Sequence, residues 1–272
     1  MISRRALLLA AAIFVIGVIY CSAAIARQQE IKYDSTEISK IAGTHKTAFV
    51  LFDPQKKTFF RYNASRCKTR FTPASTFKIP NSLIGLESKV IPDENFIIKW
   101  DGIKRGNEDW NRDHTLASAI KYSVVPYYQE LARRVGVAGY KKYFGRLSYG
   151  NKEIGGRIDG FWLDNSLKIS ADEEVQFLKD FYEYNLPFSK KNIDIVKKIL
   201  PEEIYNASVL KYKTGTGSLE NGKYIGWLVG YIEKGKSVYY FAYNTEAPTF
   251  EEVKRERDES SRKILRVLKL ID

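Results

Sequence analysis

Pro73-Ala74-Ser75-Thr76-Phe77-Lys78-Ile79-Pro80 is the stretch on which the reading of this 272-residue chain turns. Ser75 and Lys78 are three residues apart, so on a helix they share a face and reach each other. Pro73 suits a helix start and puts Ser75 in the first turn, where the positive dipole end favours an incipient alkoxide. A lysine acts as a base only when neutral. Phe77, Ile79, Leu83 and Ile84 surround Lys78 with apolar side chains, and desolvation lowers a lysine pKa. Pro80 disfavours helix at Ile79 and removes an interior hydrogen bond, so a kink or distorted first turn is expected there. A serine and a lysine at this spacing arise by chance in most chains of this length, so the surrounding sequence has to decide.

Working outward, TAFVLFD (47–53) and KTFFRYN (57–63) read as two strands joined by a turn at Asp53-Pro54. The middle of the chain has helical spacing. Tyr127 to Val135, Tyr140 to Leu147, Ser170 to Leu186 and Ser189 to Leu200 are expected helices, the third opening with a capping box and the fourth stopped by Pro201. Val209 to Thr214, Tyr224 to Glu233 and Ser237 to Asn244 return to strand composition, and Phe250 to Ile271 is a long amphipathic helix. No repeat or linker follows residue 30. The pattern predicts an α+β fold: a central antiparallel sheet completed by both ends of the chain, flanked by helices, with an inserted all-helical subdomain. One catalytic domain over 27–272 is expected, its helical lobe near 80–205 and its mixed lobe at 27–79 plus 206–272, with a cleft between them.

Net charge is +12, but Lys and Arg are interleaved with Asp and Glu along the chain, which reads as a solvated cationic surface and not a nucleic-acid groove. Arg4 and Arg5, the apolar run Ala6 to Tyr20 and Ala24-Ile25-Ala26 read as a secretory signal peptide over 1–26. That run is short of the roughly 20 residues a membrane span needs, and Tyr20 before Cys21 argues against lipidation. Export to a periplasm or the medium is expected, with no membrane association after cleavage. Cys67 is then alone, without an internal disulfide. The two histidines, His45 and His114, have no context tying them to Cys67, and so few Cys and His residues argue against a zinc site. No metal is expected.

Three further triplets matter: Ser123-Val124-Val125 at the end of an expected helix, Tyr149-Gly150-Asn151 past another, and Lys213-Thr214-Gly215 with Thr216 inside a strand. A lysine on a cleft strand offers an ammonium to an anionic substrate, and the glycine lets a substrate backbone lie close. S-x-x-K, S-x-V, Y-G-N and K-T-G in this order resemble the motifs of the class D, oxacillinase-type serine β-lactamases, with a β-lactamase/transpeptidase-like fold. Trp100-Asp101-Gly102, Trp110-Asn111-Arg112-Asp113-His114 and Phe161-Trp162-Leu163-Asp164-Asn165-Ser166-Leu167 extend the resemblance from Phe71 to about Leu270.

The resemblance implies hydrolysis of β-lactams, penicillins first, through a Ser75 acyl-enzyme. Lys78 would be N-carboxylated by carbon dioxide or bicarbonate and serve as general base in both half-reactions, with no other cofactor. Trp162 would hold the carbamate and Val125 pack over it. Ser123 would relay a proton to the leaving nitrogen, and Lys213 would assist. Thr214, Gly215 and Thr216 would line the substrate site, with the Ser75 and Thr216 amides as oxyanion hole. Arg257, with Arg255 as the alternative, would bind the substrate carboxylate. Tyr149-Gly150-Asn151 is expected to shape the cleft wall, and Trp100 and Trp227 to be packing residues. Trp110 is open between pocket lining and packing. A homodimer is compatible with the family. The alternative reading is a penicillin sensor or DD-peptidase-like protein that is acylated without turnover.

Overall fold

The strand-rich runs at the two ends of the chain meet in one sheet. The computed structural model describes Tyr33 and residues 35–272, so the expected signal segment lies outside the described residues. The chain begins with α1 (Ser35–Ala42), the hairpin β1 (Thr47–Asp53) and β2 (Thr58–Tyr62), and α2 (Ala64–Lys68). A 3-10 turn (Ala74–Phe77) leads into α3 (Lys78–Glu87), followed by β3 (Ile97–Ile98), β4 (His114–Thr115), α4 (Leu116–Lys121) and α5 (Val125–Phe144). Then come α6 (Ala171–Tyr182), α7 (Lys190–Ile199), β5 (Glu202–Ile204), β6 (Ser208–Ser218), β7 (Tyr224–Lys234), β8 (Ser237–Ala247) and α8 (Phe250–Val267).

The main sheet is antiparallel throughout, in the order β2-β1-β8-β7-β6-β5, and β1 is seated beside β8 by pairings such as Thr47 with Thr245. β7 and β8 are buried along nearly their whole length because helices cover both faces. α8 packs against β7 and β8, and α6 packs against β8, β1 and β7. Between β2 and β5 the chain's regular structure is helical apart from the short β3–β4 ribbon, with long loops around 88–113 and 145–170. Among the described residues no helix is long and apolar enough to cross a membrane.

Several boundaries differ from expectation for local reasons. Pro80 does not kink a helix. The 3-10 turn ends at Phe77 and α3 starts afresh at Lys78, so Pro80 falls in a first turn, whose N–H groups have no intrahelical partner anyway. The two expected helices from Tyr127 and Tyr140 are separate, as read: α5 is two helical pieces that break at Gly136, whose φ of 69° no helix accommodates. α6 stops at Tyr182 and not Leu186, with Tyr184 left-handed at φ 61°. Its capping box is as read: Ser170 accepts from the Glu173 amide and Glu173 reaches back to Ser170. α8 ends at Val267, two residues before left-handed Lys269.

Candidate active site

Phe77 anchors the turn that carries Ser75. Its ring is fully buried among Tyr140, Phe144, Tyr149, Phe161 and Trp162, stacked on the last at 5.7 Å. Because 3-10 geometry eclipses residues i and i+3, Ser75 and Lys78 converge, with Lys78 Nζ 2.7 Å from Ser75 Oγ. Lys78 is wholly buried, its Nζ lying 5.2 Å from the centre of the Tyr128 ring. Burial, and secondarily the charge of Lys213, hold its pKa well below the usual lysine range. Ala74 has φ 48°, a left-handed conformation that costs a non-glycine residue energy unless its surroundings impose it.

β6 imposes it from one side. A Cβ on Gly215 would lie 2.8 Å from the Pro73 carbonyl oxygen, and one on Gly217 would lie 3.3 Å from the Ala74 methyl. The Gly215 hydrogen therefore lets the strand touch the serine turn, where sequence reasoning assigned the close approach to substrate. Lys213, on the same strand, is buried and donates to Ser123 Oγ at 3.1 Å and the Thr214 carbonyl at 3.0 Å. Burial first, and Arg257 second, lower its pKa to about 7. Ser123 has φ 54° and sits between α4 and α5.

Ser75, Ser123, Val125, Thr214, Thr216 and Arg257 line a single cleft of about 630 Å³. Arg257 projects from α8 with Nη1 2.9 Å from Thr216 Oγ1, while Asp258 grips its other edge at 2.8 Å through both Nε and Nη2. Arg255 is exposed and does not line the cleft. Trp110 lines the mouth and also donates to the Tyr122 carbonyl, so it is both pocket wall and structural. Trp227 is buried and ties the Thr72 carbonyl beside the turn. Trp100, expected in the packing, stands 38% exposed on another groove.

Trp162 is buried, and its Nε1 has no hydrogen-bond partner among the described residues. The loop bearing it is closed by Asn151, which donates to the Ser166 carbonyl and accepts from the Lys168 amide. Gly150 (φ 52°) passes so close to Lys168 that a Cβ would meet its carbonyl oxygen at 2.0 Å. Tyr149 is completely buried and does not line the cleft, so the Y-G-N triplet supports the Trp162 loop from behind instead of forming the cleft wall. Sequence reasoning missed Asp258 and Glu174. The latter follows Glu173 of the capping box, and its signal was spacing: Ala171, Glu174, Leu178 and Phe181 lie on one buried helix face.

The sequence profile of the penicillin-binding-protein transpeptidase domain matches residues 33–268. β-Lactamase OXA-48 of Klebsiella pneumoniae is 40% identical over 247 residues, 90% of this chain and 91% of that protein. A solved class D β-lactamase, YbXI from Nostoc, superimposes with a TM-score of 0.83 at 36% identity, covering 88% of this chain and all of that one. The chain belongs to the class D serine β-lactamases. The regulatory protein BlaR1 of Bacillus licheniformis is also related to this class D chain, 36% identical over 73% of it but over only 33% of the regulator.

Proposed function

We propose that this class D enzyme hydrolyses penicillins through an acyl-enzyme on Ser75, with Lys78 as the residue that takes its proton. The observation carrying this reading is the 2.7 Å approach of Lys78 Nζ to Ser75 Oγ in a fully buried setting, where desolvation disfavours the charged ammonium and so favours the amine form that is both basic and open to carboxylation. Carbon dioxide bound to Nζ as a carbamate would supply an anionic base for acylation and deacylation. Trp162 fits that group, since its buried indole N–H otherwise lacks an acceptor.

Ser75 Oγ then attacks the lactam carbonyl, and the C–N bond opens as Ser123 delivers a proton to the leaving nitrogen. Lys213, near neutral pKa and bonded to Ser123, replenishes that proton. The amides of Ser75 and Thr216 receive the developing oxyanion, a role worth about 10²- to 10³-fold per donor. Arg257 and Thr216 bind the substrate carboxylate. Water admitted to the acyl-enzyme releases the product and restores Ser75. Export by the signal over 1–26 belongs to the same reading.

The test is turnover of a penicillin by the mature protein with added bicarbonate. Fast turnover, lost in Ser75→Ala together with the penicillin mass adduct, is the expected result. Turnover unaffected when bicarbonate is stripped would rule out the carbamate. The kinship to BlaR1 favours a second outcome to look for: one stoichiometric burst without turnover, as a sensor would give.

A further inference from the structure

Glu174 carries a carboxyl into the core directly behind the nucleophile's turn, and only 1% of it is exposed. Its Oε1 lies 2.6 Å from Thr76 Oγ1 and 3.3 Å from Tyr149 OH. Thr76 Oγ1 also lies 2.9 Å from the Pro73 carbonyl oxygen. A threonine hydroxyl has one hydrogen to donate. With Glu174 ionised, both neighbours of that hydroxyl are acceptors and one contact goes without a proton. With Glu174 protonated, its O–H donates to Thr76 Oγ1, Thr76 donates to Pro73, and Tyr149 donates to the carboxyl oxygen. Every contact is then satisfied.

We propose that protonated Glu174 is a positioning residue for Ser75, fixing the 74–77 turn through Thr76 and Pro73, and that its ionisation loosens the turn and slows acylation. The inference rests on Ser75 being the nucleophile. Left-handed Ala74 lies between Pro73 and Ser75, so losing the hydroxyl bond leaves the Pro73 carbonyl held by the Thr76 amide alone, where the strained backbone is fixed.

Desolvation pushes the Glu174 carboxyl up to about 7, the two hydroxyls opposing and Glu173 adding to the rise. Charged groups on the elements around α6 are engaged elsewhere. On α6 itself Glu173 is gripped by Arg70. Asp53 of β1 accepts from Tyr33, Arg66 of α2 pairs with Glu246, and Tyr240 of β8 donates to Glu183. Glu233 of β7 accepts from Tyr182, whose carbonyl takes Lys197 of α7.

The pH profile of penicillin acylation, followed from pH 5 to 9 by mass of the adduct, tests this. Wild type should show a severalfold fall above about pH 7, part of it from loss of the Lys213 proton and the rest from ionisation of Glu174. Glu174→Gln, whose amide is a permanent donor, should fall much less steeply, keeping only the part set by Lys213. Thr76→Val, which keeps its backbone N–H bond to Pro73 but loses the side-chain bond at every pH, should acylate at the reduced rate throughout. A raised carboxyl pKa means the native state holds a proton that the unfolded chain has released, so stability declines between about pH 4.5 and 7. The Tm of Glu174→Gln relative to wild type should therefore climb by several degrees across that window. A fall as steep in Glu174→Gln as in wild type, or a Tm difference indifferent to pH, overturns the proposal. An adduct absent from Ser75 in the wild type overturns instead the site reading beneath it.

Discussion

At the scale of single residues the cleft is a set of charges removed from water. Lys213 has a pKa near 7 against an ordinary 10.5. Its native form binds fewer protons than the unfolded chain between those values, so stability rises with pH through that window, and at pH 7 the burial costs about 4 kcal/mol. Lys213→Met is therefore expected to raise Tm by several degrees at pH 7, by less near pH 10, while removing most of the activity. Thermal scans at the two pH values beside a rate assay check this. Arg257 differs from its neighbour Arg255 by its hold on Thr216. Loss of a charge-assisted bond to a substrate carboxylate is worth about 1.5–3 kcal/mol. Arg257→Ala should raise KM for a penicillin roughly ten- to a hundredfold, and Arg255→Ala less than about twofold. Equal effects in the two variants would reject the assignment.

Elements hold these residues through backbone contacts that permit no extra atom. Gly215→Ala would set a methyl 2.8 Å from the Pro73 oxygen, prising β6 from the serine turn and moving the Thr216 amide. A loss of about 10²-fold in kcat is expected, larger than any change in KM, and steady-state kinetics decide it. At this scale the sequence was informative where periodicity is strong and silent where contacts are remote. The capped start of α6 and the three long strands are visible in local pattern, and the S-x-x-K, S-x-V and K-T-G triplets mark the cleft. The new helix start at Lys78 is not visible, because only β6 and the Phe77 aromatic cluster impose a 3-10 turn before it. Tyr149 was misjudged for the same reason, since its burial depends on Glu174 and Phe177, each more than twenty positions away. Asp258 escaped notice because adjacent residues on a helix rarely face each other, and here the long arginine turns back to it.

For the whole molecule the decisive contact is the pairing of β1 with β8, nearly two hundred positions apart in the chain. A chain cut after residue 236 keeps Ser75, Lys78, Ser123, Trp162 and Lys213 but lacks β8 and α8. It is expected to show no cooperative thermal transition and no penicillin adduct. A sharp transition in that fragment would contradict the dependence.

The same pairing bears on how the protein comes into being. A nascent chain can form its first hairpin early, yet that hairpin faces an absent neighbour until nine-tenths of synthesis is complete. Loop closure over that separation makes folding slow and late. Throughout that interval the apolar strand β1 waits without its partner, so aggregation during synthesis, more than wear of the finished enzyme, is the hazard this topology creates.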